Sequence, residues 1–279
     1  MSSSLEAFLL RLQREPAVLV TVERTRGSVP REAGAWMAVF SATTDGVIGT
    51  IGGGHLEWDA MRQARESLAQ PGAARRLWEQ SITLGPSLGQ CCGGALVLRF
   101  ERVDPSDAVT LRERLTEHHQ PLALFGGGHV GRAIVQALAP LPFDVTWIDS
   151  RDEVFPADLP AQVEAEHSDP VHAAVHEIVA GSAVLIMSFS HAEDLDIVAA
   201  CLQRERENRD LGFIGLIGSR TKWATFRHRL EQRGFDANEL ARITCPIGLP
   251  GISGKEPAVI AASVVAQLLL VRAAPPDGV

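Results

Sequence analysis

The stretch "PLALFGGGHVGRAIVQALAPL" (residues 121–141) decides how the second half of the chain folds. Residues 121–126 read as a short buried strand. Gly126, Gly127, Gly128 and His129 follow, and an apolar run of helical period begins at Val130. Gly126, Gly128 and Gly131 fit the spacing G-x-G-x-x-G. In a strand-to-helix turn the first glycine permits the tight turn and the second lets the backbone approach a pyrophosphate. The third lets the helix pack on the sheet. Free N–H groups at the helix start add donors and partial positive charge for an anion. "FDVTWID" (143–149) is the next strand, and it ends in Asp149, where a carboxylate can accept hydrogen bonds from a ribose. His129, at the helix start, either meets a ligand or faces solvent as a capping residue.

The same alternation continues towards the C-terminus. "AVLIMS" (183–188) and "GFIGLIG" (212–218) are further strands. A helix is expected over 170–180, with Asp169 as cap, Pro170 in first position and Gly181 just past its end. Ser190 and Glu193 form a capping box for the next helix, and the helix after "GFIGLIG" ends at Gly234. Strands alternating with helices predict a Rossmann-like parallel sheet covered on both faces. A final helix, roughly 256–272, is almost wholly apolar and belongs in the core or at an interface.

The first part of the chain predicts a mixed α/β domain. "AVLVTVERT" (17–25) is a β-prone run, and "AWMAVF" (35–40) and "VIGTIG" (47–52) flank a turn and read as a hairpin. "LVLRFERV" (96–103) is another strand, and "DPSD" (104–107) breaks the pattern before a polar helix. The expected division is therefore an N-terminal accessory domain, 1–104, and a Rossmann-like domain, 105–279, with its core at about 121–250.

A second glycine run, "TIGGGHLEWDA" (50–60), also opens a helix, in which Leu56, Ala60, Met61 and Ala64 share one face. Glu57 stands where a third glycine would complete the fingerprint. A carboxylate on the first turn suits the helix dipole but repels a pyrophosphate. Gly52, Gly53 and Gly54 thus bring bare backbone close to something other than a dinucleotide, flanked by His55 and Glu57, or simply make a tight turn. "GPSLGQCCGGALVL" (85–98) sets Cys91 and Cys92 between glycines, with Gly93 and Gly94 directly after them. A reachable loop thiol near cations or N–H donors becomes a thiolate, a soft metal ligand. Cys91 reads as a small core residue and Cys92 as the functional one. A third loop, "RTRGSVPREAG" (24–34), places Arg24, Arg26 and Arg31 where they can gather on an anion or stay solvated.

Composition narrows the class. The chain is 46% hydrophobic, enough for a packed core, and no apolar run is long enough to span a bilayer. With no signal-peptide pattern, a cytoplasmic location is expected. Net charge is −8, and the excess acid all lies beyond residue 104, which excludes a nucleic-acid surface. Of 26 basic residues only Lys222 and Lys255 are lysine. The four cysteines include no CxxC pair, so no structural zinc site or thioredoxin motif is supported, and reduced thiols are expected.

Taken in order, "TRGSVPREAGAWM", "GTIGGGHLEW", "GQCCGG", "LALFGGGHVGRA", "DSRDEVF", "SHAEDLD", "FIGLIGSRTKWATFRHRL" and "CPIGLPGISGKEPAVIAASVVAQLL" resemble the xanthine dehydrogenase accessory protein family of the XdhC/CoxI type, over nearly the whole chain. The resemblance implies a chaperone and not a turnover enzyme. Such a protein binds and shields the molybdenum cofactor (molybdopterin), supports its sulfuration by a cysteine desulfurase, and inserts it into the molybdenum-binding subunit of apo xanthine dehydrogenase. Carried over, the cysteine of the CGG motif is Cys92, as cofactor and metal contact, with Cys91 beside it. "GKEP" stands where many relatives carry an acidic motif, which suggests the xanthine dehydrogenase branch over the carbon monoxide dehydrogenase branch. On this reading the two glycine loops hold different ends of one ligand: metal and dithiolene at the first, phosphate at the second. A homodimer is expected through the apolar final helix.

Two other classes stay open. One is an NAD(P)-dependent oxidoreductase using the Rossmann loop and Asp149. It has no tyrosine for a Tyr-Lys dyad, which leaves His191 and Lys222 as acid or base candidates, unless they are surface residues. The other is an assembly scaffold without a ligand.

Overall fold

The structure is a computed structural model that describes residues 4–41, 46–70, 76–84, 93–116 and 118–273. The chain divides into two compact units, residues 1–116 and 117–279.

In the first unit β1 (Ala17–Arg26), β2 (Trp36–Val39), β3 (Val47–Gly49), β4 (Leu77–Thr83) and β5 (Ala95–Val103) form an antiparallel sheet in the order β3-β2-β1-β5-β4. Central β1 opens with the apolar run 17–20 because both its faces are covered there. Val18, Val20 and Val22 lie with Leu96, Leu98 and Phe100 under Leu56, Ala60 and Ala64 of α2 (Gly54–Leu68). The alternate residues Ala17 and Leu19 pack on the other face against Phe8, Leu9 and Leu12 of α1 (Ser4–Leu12) and Leu111 of α3 (Ala108–Leu115). This is the two-residue period of a strand, and each fully buried Val, Leu or Phe contributes about 1.5–3 kcal/mol. The expected hairpin forms, with Val39 opposite Val47.

Two features differ from expectation. β4, with the sequence LWEQSIT, alternates only between exposed and half-buried, so no clear apolar face marks it; it pairs with β5 from Leu77↔Glu101 to Thr83↔Ala95. And α3, assigned to the second domain from the sequence, packs on the α1 side of the first unit. Asp104 caps the short 3-10 turn that enters α3, accepting from Ser106 N at 2.9 Å, so "DPSD" starts a helix inside the first unit instead of linking two domains.

The second unit contains β6 (Gln120–Phe125), β7 (Phe143–Asp149), β8 (Val163–His167), β9 (Ala183–Ile186), β10 (Phe213–Leu216) and β11 (Ile243–Thr244). All are parallel, in the order β11-β10-β9-β6-β7-β8. The chain winds outward from β6 through β7 and β8, then returns to the opposite side with β9. The order reverses between β6 and β9, which is the doubly wound Rossmann arrangement, with a crevice beyond the carboxyl ends of these strands. α4 (His129–Leu138) and α8 (Pro257–Ala273) share one face, where Ile134, Val135 and Leu138 meet Ala261, Val264, Val265 and Leu268. α5 (His191–Glu207), α6 (Arg220–Gln232) and α7 (Ala237–Leu240) cover the other. The apolar α8 therefore buries one side in the core, while Leu270 is 62% exposed on the other.

The helix expected over 170–180 is only a 3-10 segment, Val171–His176. Val171, Ala174 and Val175 do face the core, which produced the helical spacing, but Pro170 before them makes no side-chain cap. β8 was not anticipated, since "VEAEH" alternates towards acids on an edge strand. Among the described residues no helix is long and apolar enough to cross a membrane.

Candidate functional site

In the first unit three loops meet. Gly52, Gly53 and Gly54 all have positive φ (122°, 79° and 66°), a run that only glycines adopt without strain. A Cβ on Gly52 would lie 2.4 Å from Pro30 Cβ and 3.3 Å from Arg31 Cγ, so the arginine loop rests on the glycine turn. A Cβ on Gly94 would lie 2.3 Å from Ser28 O and 2.7 Å from Arg26 O, so the strand entry after the double cysteine rests on the same arginine loop. Gly93 meets nothing within 4 Å and is exposed. Cys91 and Cys92, the sulfur expected at this place, lie outside the described residues. Arg26 and Arg31 are exposed, and Arg24 pairs outward with Glu79 at 3.0 Å.

Glu57 explains why this loop is no second dinucleotide fingerprint. Its Oε2 accepts from Thr50 Oγ1 (2.6 Å), Ile51 N (3.1 Å) and Gly53 N (3.0 Å). The carboxylate takes N–H donors that an incoming anion would need, and fixes the turn from within. His55, 56% exposed, stacks on Trp58 and lies 3.8 Å from Asp59.

The second loop is built the opposite way. Gly126 has φ 129°, and a Cβ there would lie 2.0 Å from Met187 O at the end of β9. A Cβ on Gly131 would lie 2.0 Å from Gly126 O, and one on Gly127 would lie 2.3 Å from a methyl of Val154. These three glycines are demanded by packing. Gly128 is not: its φ of −71° and ψ of −176° suit any residue, and nothing lies within 4 Å of the Cβ position. It is the N-cap of α4 and, having no side chain, makes no side-chain hydrogen bond to the N–H groups of the first turn. His129 is exposed beside them.

Asp149 is buried beneath this loop, and its carboxylate is full. Oδ2 accepts from Gly127 N (2.6 Å) and Arg151 Nη2 (3.0 Å); Oδ1 accepts from Arg151 N and Arg151 Nε, both at 2.9 Å. Four donors occupy the four lone-pair positions of a carboxylate. The ribose role expected for Asp149 thus requires Arg151 to be displaced. Burial pushes the Asp149 carboxyl up, but the Arg151 guanidinium and the N–H groups of Gly127 and Arg151 outweigh it and hold the group below the usual carboxylate range.

Sequence reasoning missed a buried ion pair at the carboxyl ends of β9 and β10. Lys222 Nζ donates to Asp194 Oδ2 (2.6 Å) and Ile217 O (2.8 Å), and Asp194 Oδ1 accepts from Ser188 N and Oγ, both at 2.8 Å. Lys222 is therefore not a surface residue, and its charge is spent on the fold. His191 is exposed, with its ring edge-on to Phe226. Ser190 caps α5 by accepting from Glu193 N (3.2 Å), but the Glu193 carboxylate reaches Ser150 Oγ (2.7 Å) and leaves the box half formed. Cys201 is fully buried, and desolvation pushes its thiol up to about 12. Cys245 is half-buried and also pushed up by burial, with Lys222 pulling the other way. Among the described residues no group of three or more His, Cys, Asp or Glu could hold a metal ion.

A doubly wound parallel sheet with a glycine loop at its reversal point defines a Rossmann-like unit, preceded in the chain by an antiparallel α/β unit. Comparison with known proteins narrows this further. Residues 122–268, more than half of the chain, match the XdhC Rossmann domain, and residues 10–78 match the XdhC and CoxI family. The chain belongs to the XdhC family. It is 27% identical over 275 residues to YqeB of Escherichia coli (strain K12), a protein described as uncharacterized; the match takes in 98% of this chain and 47% of that protein, so the chain spans about half its relative's length. A crystal structure described as a xanthine dehydrogenase from Bacillus halodurans superposes with a TM-score of 0.78 at 20% identity, covering 99% of this chain and 97% of that one, and so has the same fold.

Proposed function

We propose that this chain is an accessory protein of xanthine dehydrogenase maturation that carries the molybdenum cofactor as cargo and turns over no substrate of its own. The observation that carries the reading is the meeting of three loops in a member of this family. The arginine loop, the three-glycine turn and Gly94 lie together, and Cys92 immediately precedes the Gly93–Gly94 pair in the sequence. A thiolate at Cys92 is a soft ligand suited to molybdenum. The cofactor brings its own dithiolene, so a single protein sulfur is enough, and a three-residue metal cluster is not required. Arg26 and Arg31 supply positive charge to the anionic cargo, and Glu57 holds the turn in shape. In the Rossmann unit the phosphate goes to the start of α4, where nothing lies within 4 Å of the Cβ position at Gly128.

In this reading Cys92, with Cys91 beside it, grips the metal end, a cysteine desulfurase supplies sulfur, and the molybdenum-binding subunit of apo xanthine dehydrogenase receives the loaded cofactor. The setting is cytoplasmic, and the exposed side of α8 at Leu269 and Leu270 is the surface of a homodimer. The NAD(P)-dependent oxidoreductase alternative is weaker on geometry. Lys222 is locked to Asp194 and Asp149 to Arg151, so neither is free to move a proton or read a ribose. The test is transfer. Anaerobically loaded protein mixed with apo xanthine dehydrogenase should restore activity in proportion to the cofactor carried, and Cys92→Ala, folded but unable to load, should restore none. Equal activation by free cofactor and by loaded protein would overturn the reading.

A further inference from the structure

The Rossmann crevice carries a feature that phosphate binding does not use. The loops after β7 and β9 meet over the end of β6, since β6 lies between those strands in the sheet. Where they meet, the Arg151 guanidinium carbon sits 4.4 Å from the centroid of the Phe189 ring. Phe189 is 68% exposed. Arg151 is held by its two bonds to Asp149, and Asp149 is held in turn by Gly127 N at 2.6 Å. Arg132, on α4, donates to Val154 O at 2.9 Å and ties the same post-β7 loop to that helix. The glycine loop, the guanidinium and the aromatic ring are thus one connected piece. It holds an aromatic ring with one face on a fixed cation and most of its surface in solvent.

We propose that Phe189, backed by Arg151, is the stacking platform for a fused, planar nitrogen heterocycle whose phosphate lies over Gly128. Stacking on an aromatic side chain recognises the π-face of a base and tolerates its identity. Because Asp149 has no lone pair left, the sugar or linker between the two ends is not read by that carboxylate. Two sources share this chemistry, a purine nucleotide and a pterin phosphate. The inference deepens the reading above at its Rossmann end and rests on it only for the pterin arm.

Isothermal titration of the whole chain with ADP, with a 6-substituted pterin monophosphate and with inorganic pyrophosphate tests it. One of the two heterocycles should bind at least ten-fold more tightly than pyrophosphate. Phe189→Ala should weaken that heterocycle by roughly ten- to a hundred-fold and leave pyrophosphate unchanged, while Phe189→Trp restores binding. Gly128→Val should weaken all three. ADP as the winner assigns a nucleotide to the crevice whether or not molybdenum is carried, and the pterin as the winner places the cargo there. Heterocycles that bind no better than pyrophosphate, or an affinity indifferent to Phe189→Ala in protein with an unchanged melting curve, would overturn the proposal.

Discussion

Alanine at Gly126 and alanine at Gly128 should have opposite consequences, although the two glycines stand two residues apart in one motif. At Gly126 the backbone has φ 129°, which costs an L-residue about 1–2 kcal/mol. The added methyl would also sit 2.0 Å from Met187 O, and overpacking of that kind costs about 1–3 kcal/mol. The sum is about 2–5 kcal/mol. At about 2–4 °C per kcal/mol for a unit of this size, the melting temperature should fall by about 4–20 °C. At Gly128 the backbone suits alanine and the space is empty. Restricting the unfolded chain gains about 0.4–1 kcal/mol. Alanine is a poorer N-cap than glycine and gives back a similar amount, about 0.5–1 kcal/mol. The Gly128→Ala melting temperature should therefore stay within about 3 °C of the parent, while ligand affinity at the loop drops. Circular-dichroism melts read the first quantity and titration calorimetry the second. A Gly128→Ala protein as unstable as Gly126→Ala would show that Gly128 serves packing, and the argument that its space is kept for a ligand would fail.

Three further outcomes follow from the geometry. Lys222→Met should destabilise the Rossmann unit by about 3–5 kcal/mol, because Asp194 is left buried without its cation; urea denaturation measures this, and a loss under about 1 kcal/mol would mean the pair is dispensable. Asp149 has a folded pKa below its unfolded value, so its stabilisation is present above about pH 4 and is lost as pH falls through the lower, folded value. Asp149→Asn should thus lower stability at neutral pH and flatten the acid limb of the stability curve below about pH 4; an unchanged limb contradicts the pairing with Arg151. In native protein Cys201, buried with its thiol pushed up to about 12, should resist iodoacetamide, and Cys245 should react slowly. Mass spectrometry of the labelled peptides reads both rates, and fast labelling at Cys201 would contradict the fold.

Much of the fold was legible because it is written in local spacing. The strand–glycine–helix pattern at 121–138 placed the first Rossmann strand and its helix, and the alternation that followed placed β7, β9 and β10. The roles of Gly126 and Gly131 were readable as well, since tight turns and close helix packing have few other solutions. What escaped depends on partners distant in sequence. β4 and β8 lack an apolar face of their own and are strands because β5 and β7 pair with them. The segment 171–176 has helical spacing but no cap. Lys222 sits in a polar-looking helix, and only Asp194, twenty-eight residues upstream, shows that its ammonium is buried. Asp149 stands at the expected strand end, but Arg151, two residues on, takes its lone pairs. The meeting of Gly52 with Pro30 and of Gly94 with Arg26 is a tertiary fact that no spacing encodes.

The central claim is the proposal that this chain holds a metal-bearing pterin through one sulfur at Cys92. The most direct measurement is molybdenum and released pterin, quantified together on protein loaded and purified without oxygen. Near-equal amounts of molybdenum and pterin per chain, lost in Cys92→Ala with an unchanged melting curve, are the predicted result. Wild-type protein that retains neither after exposure to excess cofactor, or a Cys92→Ala protein that retains both in full, would contradict it.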